Sequence, residues 1–540
     1  MQLWDDGGSE CLLVIELDKG SKFAFGENRA HFHQVLFCKN IVVRLLIQEP
    51  QMKSINPDCA LETILTNWCS INWKMVKHLV KSLQLRIAKA IRERRRNKAR
   101  ALQWILTHSL AAKLLAVKRV TENAGKRTPG TDGIRWKTSR QKIQAAKSLI
   151  RKDYKALPLR RLYILKKNGK KRPLGIPTMK DRAFQALLLF ALEPISETLA
   201  DNGSYGFRLK RGCHDAIERC YIHLSRKDSA TWILEADIKG CFDNINHQWL
   251  IQNIPMDKKM LQQWLKAGFI ENKQLFPTEM GTPQGGIISP TIANMPLDGL
   301  ENMLDIAFGI KYRPEGCRRN NKHKIHLVRY ADDFIVTATS REILENKVIP
   351  LIEEFLATRG LQLSPEKTKI THISEGFNFL GQNIKLFPNG KQLIRPSKDS
   401  IKSVISKLKE TIVKHRGAQA AVLIRNLNQV ITGWANYHKH VCSKDTFYKL
   451  DRILWRNIWN WARRRHNNLG YSKIVSSNFM TIGKRKWQFF GKFKNGKTVL
   501  LRMFGHFRIK RHKLICGKAN PFDPSWDLYF AKRKGGRVIA

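Results

Sequence analysis

Adjacent acids set between two apolar runs leave a chain few ways to fold, and Tyr330-Ala331-Asp332-Asp333 is such a place. His326-Leu327-Val328-Arg329 precedes it and Phe334-Ile335-Val336-Thr337 follows, both rich in apolar and β-branched residues. The pattern predicts two short strands pinched by a tight turn, with both acids at the tip. Carboxylates forced side by side repel each other unless a cation sits between or beside them. A divalent metal is the common solution, and oxygen ligands suit Mg2+. Four residues are too few to decide the matter alone, so the reading depends on what other segments bring.

A second acidic segment lies upstream in Leu234-Glu235-Ala236-Asp237-Ile238-Lys239-Gly240-Cys241-Phe242-Asp243. Asp237 ends an apolar strand and Phe242 follows five residues later. In polynucleotide synthesis two metals about 4 Å apart clamp the attacking and leaving oxygens of an in-line displacement. That chemistry needs carboxylates from different strands. Asp237 and Asp332 suit the bridging work, Asp333 completes the metal shell, and Phe242 would lie beneath the incoming sugar, where its ring excludes a 2′-hydroxyl. Gly281-Thr282-Pro283-Gln284-Gly285-Gly286 is a polar loop whose small residues let backbone approach a base pair, with Gln284 able to bond template or nucleotide. Lys166-Lys167-Asn168-Gly169-Lys170-Lys171-Arg172 reads as a hairpin loaded with cations, in which Lys166 and Arg172 are typed to hold a triphosphate. Lys367 and Lys369 would place cations near the leaving pyrophosphate. Singly, each piece has a plainer reading: Asp237 as a helix cap or surface acid, Phe242 as core, the hairpin as a solvated turn. In this order and spacing they point together to nucleotidyl transfer.

Bulk composition agrees. Lys and Arg number 97 against 44 acids, a formal charge of +53, while 43% of the residues are hydrophobic. A charge of that size on a folding chain calls for a polyanionic partner, and nucleic acid is the natural one. The ten cysteines form no Cys-x-x-Cys pair, which argues against zinc fingers and for free thiols in a reducing compartment. No apolar run approaches the length needed to cross a bilayer.

Residues 1–51 stand apart, with seven acids against five bases, and read as an accessory extension or as translated upstream sequence ahead of Met52. From Trp73 to Val120 apolar residues recur at helical spacing, with Val76, Leu79, Val80, Leu83, Ile87, Ala90 and Ile91 on one face. Arg92 to Arg100 then supplies six bases in nine residues. Residues 155–395 alternate β-like and helical stretches, as in an α+β core. Past Arg395 three apolar helical stripes follow, Ile401 to Val413, Ala420 to Tyr437 and Phe447 to Trp461, predicting a three-helix unit. From Tyr471 onward bases mix with aromatics.

With these pieces in hand, the chain resembles the reverse transcriptases encoded within group II introns, also called maturases. Arg172-Pro173-Leu174-Gly175-Ile176-Pro177-Thr178-Met179-Lys180-Asp181-Arg182 is similar to that family's first polymerase block, and Ser204-Tyr205-Gly206-Phe207-Arg208 to its second. Gly376-Phe377-Asn378-Phe379-Leu380-Gly381 resembles its primer-gripping strand, and Gly433-Trp434-Ala435-Asn436-Tyr437 falls in its maturase, or thumb, region. The resemblance implies an α+β right-hand polymerase. Residues 1–60 fall outside the family pattern as an extension of unknown role, and a helical RNA-binding extension is expected over 61–150. Fingers and palm follow over 151–394, a helical thumb over 395–470, and a basic DNA-binding region over 471–540. It implies two Mg2+ ions, deoxynucleoside triphosphates, group II intron RNA, and target DNA with its primer as partners. Reverse transcription at a target site and assistance to intron splicing are the activities it implies.

RNA and DNA contacts are expected from Arg94, Arg95, Arg96, Arg463, Arg464, Arg465, Lys510 and Arg511. The family's optional endonuclease uses paired cysteines and histidines; none follow Asp523-Pro524, so second-strand cleavage is not expected. A bacterial cytoplasm or an organelle interior fits equally, and oligomeric state stays open. The competing expectations are a splicing-only maturase that has lost synthesis, and a retron or defence reverse transcriptase.

Overall fold

The computed structural model describes residues 67–165, 169, 171–312, 318–466, 468–483 and 485–533, together with three short strands before residue 24. It divides into two compact units, residues 1–73 with 137–147, and residues 74–136 with 148–540. In the first, Gln2–Trp4, Leu12–Glu16 and Lys22–Phe23 form an antiparallel ribbon. A 3-10 turn at Trp68–Ser70 places the Trp68 ring 5.7 Å from Lys142 Nζ on the helix Ser139–Lys147. Most of the extension expected over residues 1–60 lies outside the described residues.

The stretch with helical spacing forms three helices, α1 (Trp73–Arg92), α2 (Arg96–His108) and α3 (Leu110–Glu122). Two local events break it. Arg94 takes a left-handed φ of 58°, which a helix cannot propagate. Ser109 is extended and accepts a hydrogen bond from Ala112 N, so it starts a new helix. Of the predicted face, Val76, Val80, Ile87 and Ala90 are buried, whereas Leu79, Leu83 and Ile91 are half-buried. Gln84 is buried among them, its Nε2 donating to Phe190 O at 2.9 Å.

The cation-rich hairpin forms from β1 (Leu159–Leu165) and β2 (Lys171–Ile176), antiparallel with Leu165 opposite Lys171. Lys166, Lys167, Asn168 and Lys170 at its tip lie outside the described residues. Next comes α4 (Met179–Leu199), capped by Thr178, whose Oγ1 accepts from Asp181 N. It is buried nearly all round, the polar Asp181, Arg182, Gln185 and Glu197 included, with α2 and α3 packed on it. After α5 (Cys213–Leu224) the chain enters β3 (Trp232–Asp237) and the single-turn α6 (Cys241–Asn244). The short strands β4 (Phe269–Glu271) and β5 (Gln274–Phe276) extend the first sheet in the order β2-β1-β4-β5, with β4 parallel to β1. Helix α7 (Ser289–Asn294) follows.

The central sheet is antiparallel throughout, in the order β6 (His326–Tyr330), β7 (Asp333–Ala338), β3, β8 (Lys369–His372). Ile233, Val328 and Ile335 on one face pack with Ala216, Ile217, Cys220 and Leu224 of α5. Leu234, Leu327 and Val336 on the other are equally buried. Burial on both faces explains why β6 and β7 read as continuous apolar runs rather than alternating ones.

A second small sheet, β9 (Phe377–Phe379), β10 (Gln382–Leu386) and β11 (Gln392–Pro396), leads into α8 (Lys398–Lys414), α9 (Ala420–His438) and α10 (Lys444–Arg465). These match the three predicted stripes. The aromatic-rich stretch beyond them forms a sheet of β12 (Phe479–Ile482), β13 (Arg485–Lys492) and β14 (Thr498–Leu500). Phe479, Phe489, Leu501 and Phe504 complete the same core as Leu427, Leu450 and Leu454. The three helices therefore share their hydrophobic interior with the following forty or so residues.

Candidate active site

The tight turn forms as the sequence predicts, with Tyr330 paired to Asp333 and Ala331-Asp332 between them. Ala331 is left-handed at φ 60°, the position where such a hairpin prefers glycine. Gly206 lies directly against it: a Cβ on Gly206 would sit 2.3 Å from Ala331 N. Only a residue without a side chain permits that approach.

Register then decides which acids meet. Asp333 is the direct cross-strand partner of Asp237, so both carboxyls stand on one face at the end of the sheet. Burial, the hydrogen bond with Asp237 and the charge of Asp332 push the Asp333 carboxyl up to about 7. Burial, and then Asp237, raise Asp332 as well. Lys367 Nζ lies 2.6 Å from Asp237 Oδ2, and that contact raises the lysine in turn. The lysine is positioned by Ser364, whose N–H donates to Asp237 O at 2.8 Å, and by the Ile238–Leu363 bridge.

Upward shifts of this kind show that ionising the crowded carboxyls is costly, the condition a divalent cation relieves. The residues fit such an ion in kind and charge. Among the described residues no three His, Cys, Asp or Glu side chains close around one point unaided. Asp237 and Asp333 touch, and Asp332 stands beside them on the turn as a neighbour within electrostatic reach. Substrate phosphates and water would complete the shell, as phosphate-handling sites commonly arrange.

The remaining predicted contacts assemble on one side. Arg172 Nε donates to Gln284 Oε1 at 2.7 Å, and Gln284 Nε2 donates to Asp243 Oδ1 at 3.2 Å. The Gly281–Gly286 loop is held from both flanks: Thr282 N donates to Phe242 O, and Gly175 N donates to Gln284 O at 2.7 Å. Phe242 meets Phe207 edge to face, ring centroids 6.1 Å apart, and Phe207 is half exposed. Lys369 pairs with Glu235 at 3.1 Å. Lys166 lies outside the described residues.

Two residues carry weight here without having been singled out in the sequence. Asp243 is the third member of the Arg172–Gln284 chain, and only its closeness to Phe242 hinted at it. Arg329 is the other. It is fully buried behind the turn, donating from Nη1 to Asn294 Oδ1 at 2.6 Å and from Nη2 to Asp298 Oδ1 at 2.5 Å. Its Nη1 also reaches Ala331 O at 3.4 Å. Arg208, in the Ser-Tyr-Gly-Phe-Arg block, is likewise interior and pairs with Glu197 at 2.7 Å.

Of the expected nucleic-acid contacts, Arg94, Arg95 and Arg96 are exposed at the break between α1 and α2, and Arg463, Arg464 and Arg465 at the end of α10. Arg465 donates to Ala418 O at 2.7 Å. Lys510 and Arg511 are both exposed, and Arg511 also pairs with Glu218, its Nη2 2.8 Å away and its guanidinium 4.9 Å from the Tyr221 ring.

Residues 164–384 match the family described as reverse transcriptase (RNA-dependent DNA polymerase), residues 68–149 the N-terminal domain of reverse transcriptase, and residues 401–479 the group II intron maturase-specific domain. The group II intron-encoded protein LtrA of Lactococcus lactis subsp. cremoris is 31% identical over 410 residues, covering 61% of this chain and 67% of that protein. Protein YkfC of Escherichia coli (strain K12) is 34% identical over 307 residues, 50% of this chain and 80% of that one. Maturase-like protein 1 of Euglena gracilis is 24% identical over 434 residues, 76% and 88% respectively.

Proposed function

This chain belongs to the group II intron-encoded reverse transcriptases and maturases, and from that premise we propose how its own residues carry the work. It is an RNA-directed DNA polymerase with a role in intron splicing, and it uses a divalent metal. In our reading Asp237, Asp332 and Asp333 hold two Mg2+ ions, and deoxynucleoside triphosphates are the substrates. Metal bound there would polarise the attacking and leaving oxygens of the displacement. Arg172, oriented by Gln284, offers its guanidinium fork to the triphosphate. Lys367 stands by Asp237 where a departing pyrophosphate needs a cation. Phe242 presents its ring to the sugar, steadied by Phe207.

One observation carries this reading: Asp333 and Asp237, nearly a hundred residues apart, touch across neighbouring strands with Lys367 on the latter. The maturase-specific match over residues 401–479 supports intron RNA as the cognate partner, and the intact acids weigh against a splicing-only protein. Copying into target DNA from a primer at the insertion site completes the proposal, in a bacterial cytoplasm or an organelle. No helix among the described residues is long and apolar enough to cross a membrane. The direct test is splicing of the flanking intron at low Mg2+ with and without purified protein, run beside primer extension on an RNA template. Splicing unaided by the protein, or extension equal to a no-protein control, would overturn it.

Two further outcomes are expected. Phe242→Ala should admit ribonucleotides, raising their incorporation relative to deoxynucleotides by roughly tenfold or more, the scale on which a single pocket contact discriminates; unchanged discrimination in primer extension removes the ring from the gate. Intron RNA affinity should fall on the order of a thousandfold between about 50 and 200 mM salt, as when six or more cations displace counterions. Filter binding across that range measures the slope, and a flat response contradicts a phosphate-binding surface.

A further inference from the structure

Helix α10 has two opposed faces. Phe447, Leu450, Leu454, Ile458 and Trp461 enter the core. At 100° per residue, Arg452, Trp455, Arg456, Trp459 and Arg463 fall together on the other side. Guanidinium and indole groups thus alternate along one outward stripe. The plain reading of aromatics at helical spacing is core, and Trp459 is half-buried against it; Trp455 is not, being 41% exposed.

A pocket opens beside this stripe. The Trp455 and Trp459 rings are parallel to within 1°, centroids 6.1 Å apart. Trp487, from β13, stands nearly perpendicular to both at 6.4 and 6.2 Å. Tyr471 and Phe479 lie 5.9 and 5.6 Å from Trp487. Trp455, Tyr471, Phe479 and Trp487 border a cavity of about 400 Å3 with the exposed Lys486 among its lining residues, within the ~300–1,000 Å3 usual for small-ligand clefts. Trp487 is held at φ 68°, and the β12–β13 pairing slips between Met480 and Ile482 beside it. A bulky residue in the left-handed region is strained, and such strain persists where surrounding structure holds a side chain for a purpose.

We propose that this pocket captures an unstacked base of single-stranded RNA, stacked on the Trp455 side, with Arg452, Arg456 and Lys486 engaging the flanking phosphates. Indole faces accept any base, and the adjoining cations match a phosphate backbone rather than an apolar peptide. The proposal rests on the reading of the chain as an RNA-binding protein and adds a discrete site to it.

The test uses the full chain, a twelve-nucleotide oligouridylate, a duplex RNA of equal length and the matching single-stranded DNA. Wild-type tryptophan fluorescence should be quenched by the oligouridylate, and less by the duplex. Trp455→Ala should weaken oligouridylate binding roughly tenfold while leaving the salt slope unchanged, since no cation is removed. Arg452→Gln should lower both affinity and slope. Tyr471→Ala, at a residue 61% exposed, repeats the first measurement where misfolding is not a concern, and unfolding midpoints of all variants check the fold. Wild-type affinity in both aromatic variants, or an equal loss for duplex and single strand, overturns the pocket. Tighter binding of the DNA overturns the choice of RNA. Failure of the underlying functional reading looks different: the wild-type chain would then bind neither form of RNA.

Discussion

Replacing Asp332 by Ala is expected to lower cDNA synthesis by roughly a thousandfold or more while leaving intron binding and assisted splicing near wild type. The magnitude follows from removing a group that acts on charge developing in the transition state. The separation of activities follows from where the residue sits. Asp332 is a turn residue at the end of the central sheet, whereas the exposed basic clusters lie on α10 and between α1 and α2. Removing one carboxylate also relieves its repulsion of Asp333, so the fold should not suffer. Primer extension on an RNA template and splicing at low Mg2+ measure the two activities on one preparation. Synthesis surviving in the variant would end the metal assignment; splicing lost in step with synthesis would mean that the turn supports the whole fold rather than the chemistry.

The largest stability effect is expected at Arg329. Its guanidinium is wholly enclosed and satisfies Asp298 and Asn294 while reaching the carbonyl of Ala331. Arg329→Met leaves Asp298 without its cation, a loss of about 3–5 kcal/mol for a broken buried pair. Burial already pushes Asp298 up to about 6 against the pull of Arg329, and without the arginine it rises further. A carboxyl whose folded value stands above its unfolded one makes the native state the stronger proton binder, so stability increases as pH falls. The variant's deficit should therefore be greatest near pH 8 and shrink toward pH 5, as read by the denaturant midpoint. A deficit independent of pH would show that Asp298 is not the group left stranded. Adding Asp298→Leu should recover most of the loss, because an apolar pair can replace a buried ionic one. Synthesis should still be impaired in that double variant, since Ala331 O has lost its donor.

How far the sequence reached differs from element to element. The Tyr330–Asp333 hairpin was legible because two apolar runs and a tight turn are local signals, and strands buried on both faces show no alternation to misread. The three stripes past residue 397 were legible for the same reason, since a helix buries one face at a fixed period. The stretch from Trp73 to Val120 showed helical spacing but hid its breaks. Arg94 sits in a run of cations that says nothing about φ, and Ser109 declares itself as a cap only through its backbone. The residues after Tyr471 read as a basic, aromatic mixture; that Phe479, Phe489 and Phe504 finish the core of α8–α10 depends on a surface those helices create.

The chain's own letters determined which chemistry was present: acids at a strand end and at a turn, a cation hairpin, an aromatic five residues past the first acid, and a charge that calls for nucleic acid. Tertiary structure alone decided that Asp333 faces Asp237, that Gln284 joins Arg172 to Asp243, and that Arg329 is an interior brace rather than a surface base. The physical reason is range. Propensity and periodicity act over a few residues, whereas strand register, a buried ion pair and side-chain hydrogen bonds join groups 31 to 112 positions apart, and only the packed chain brings them within bonding distance.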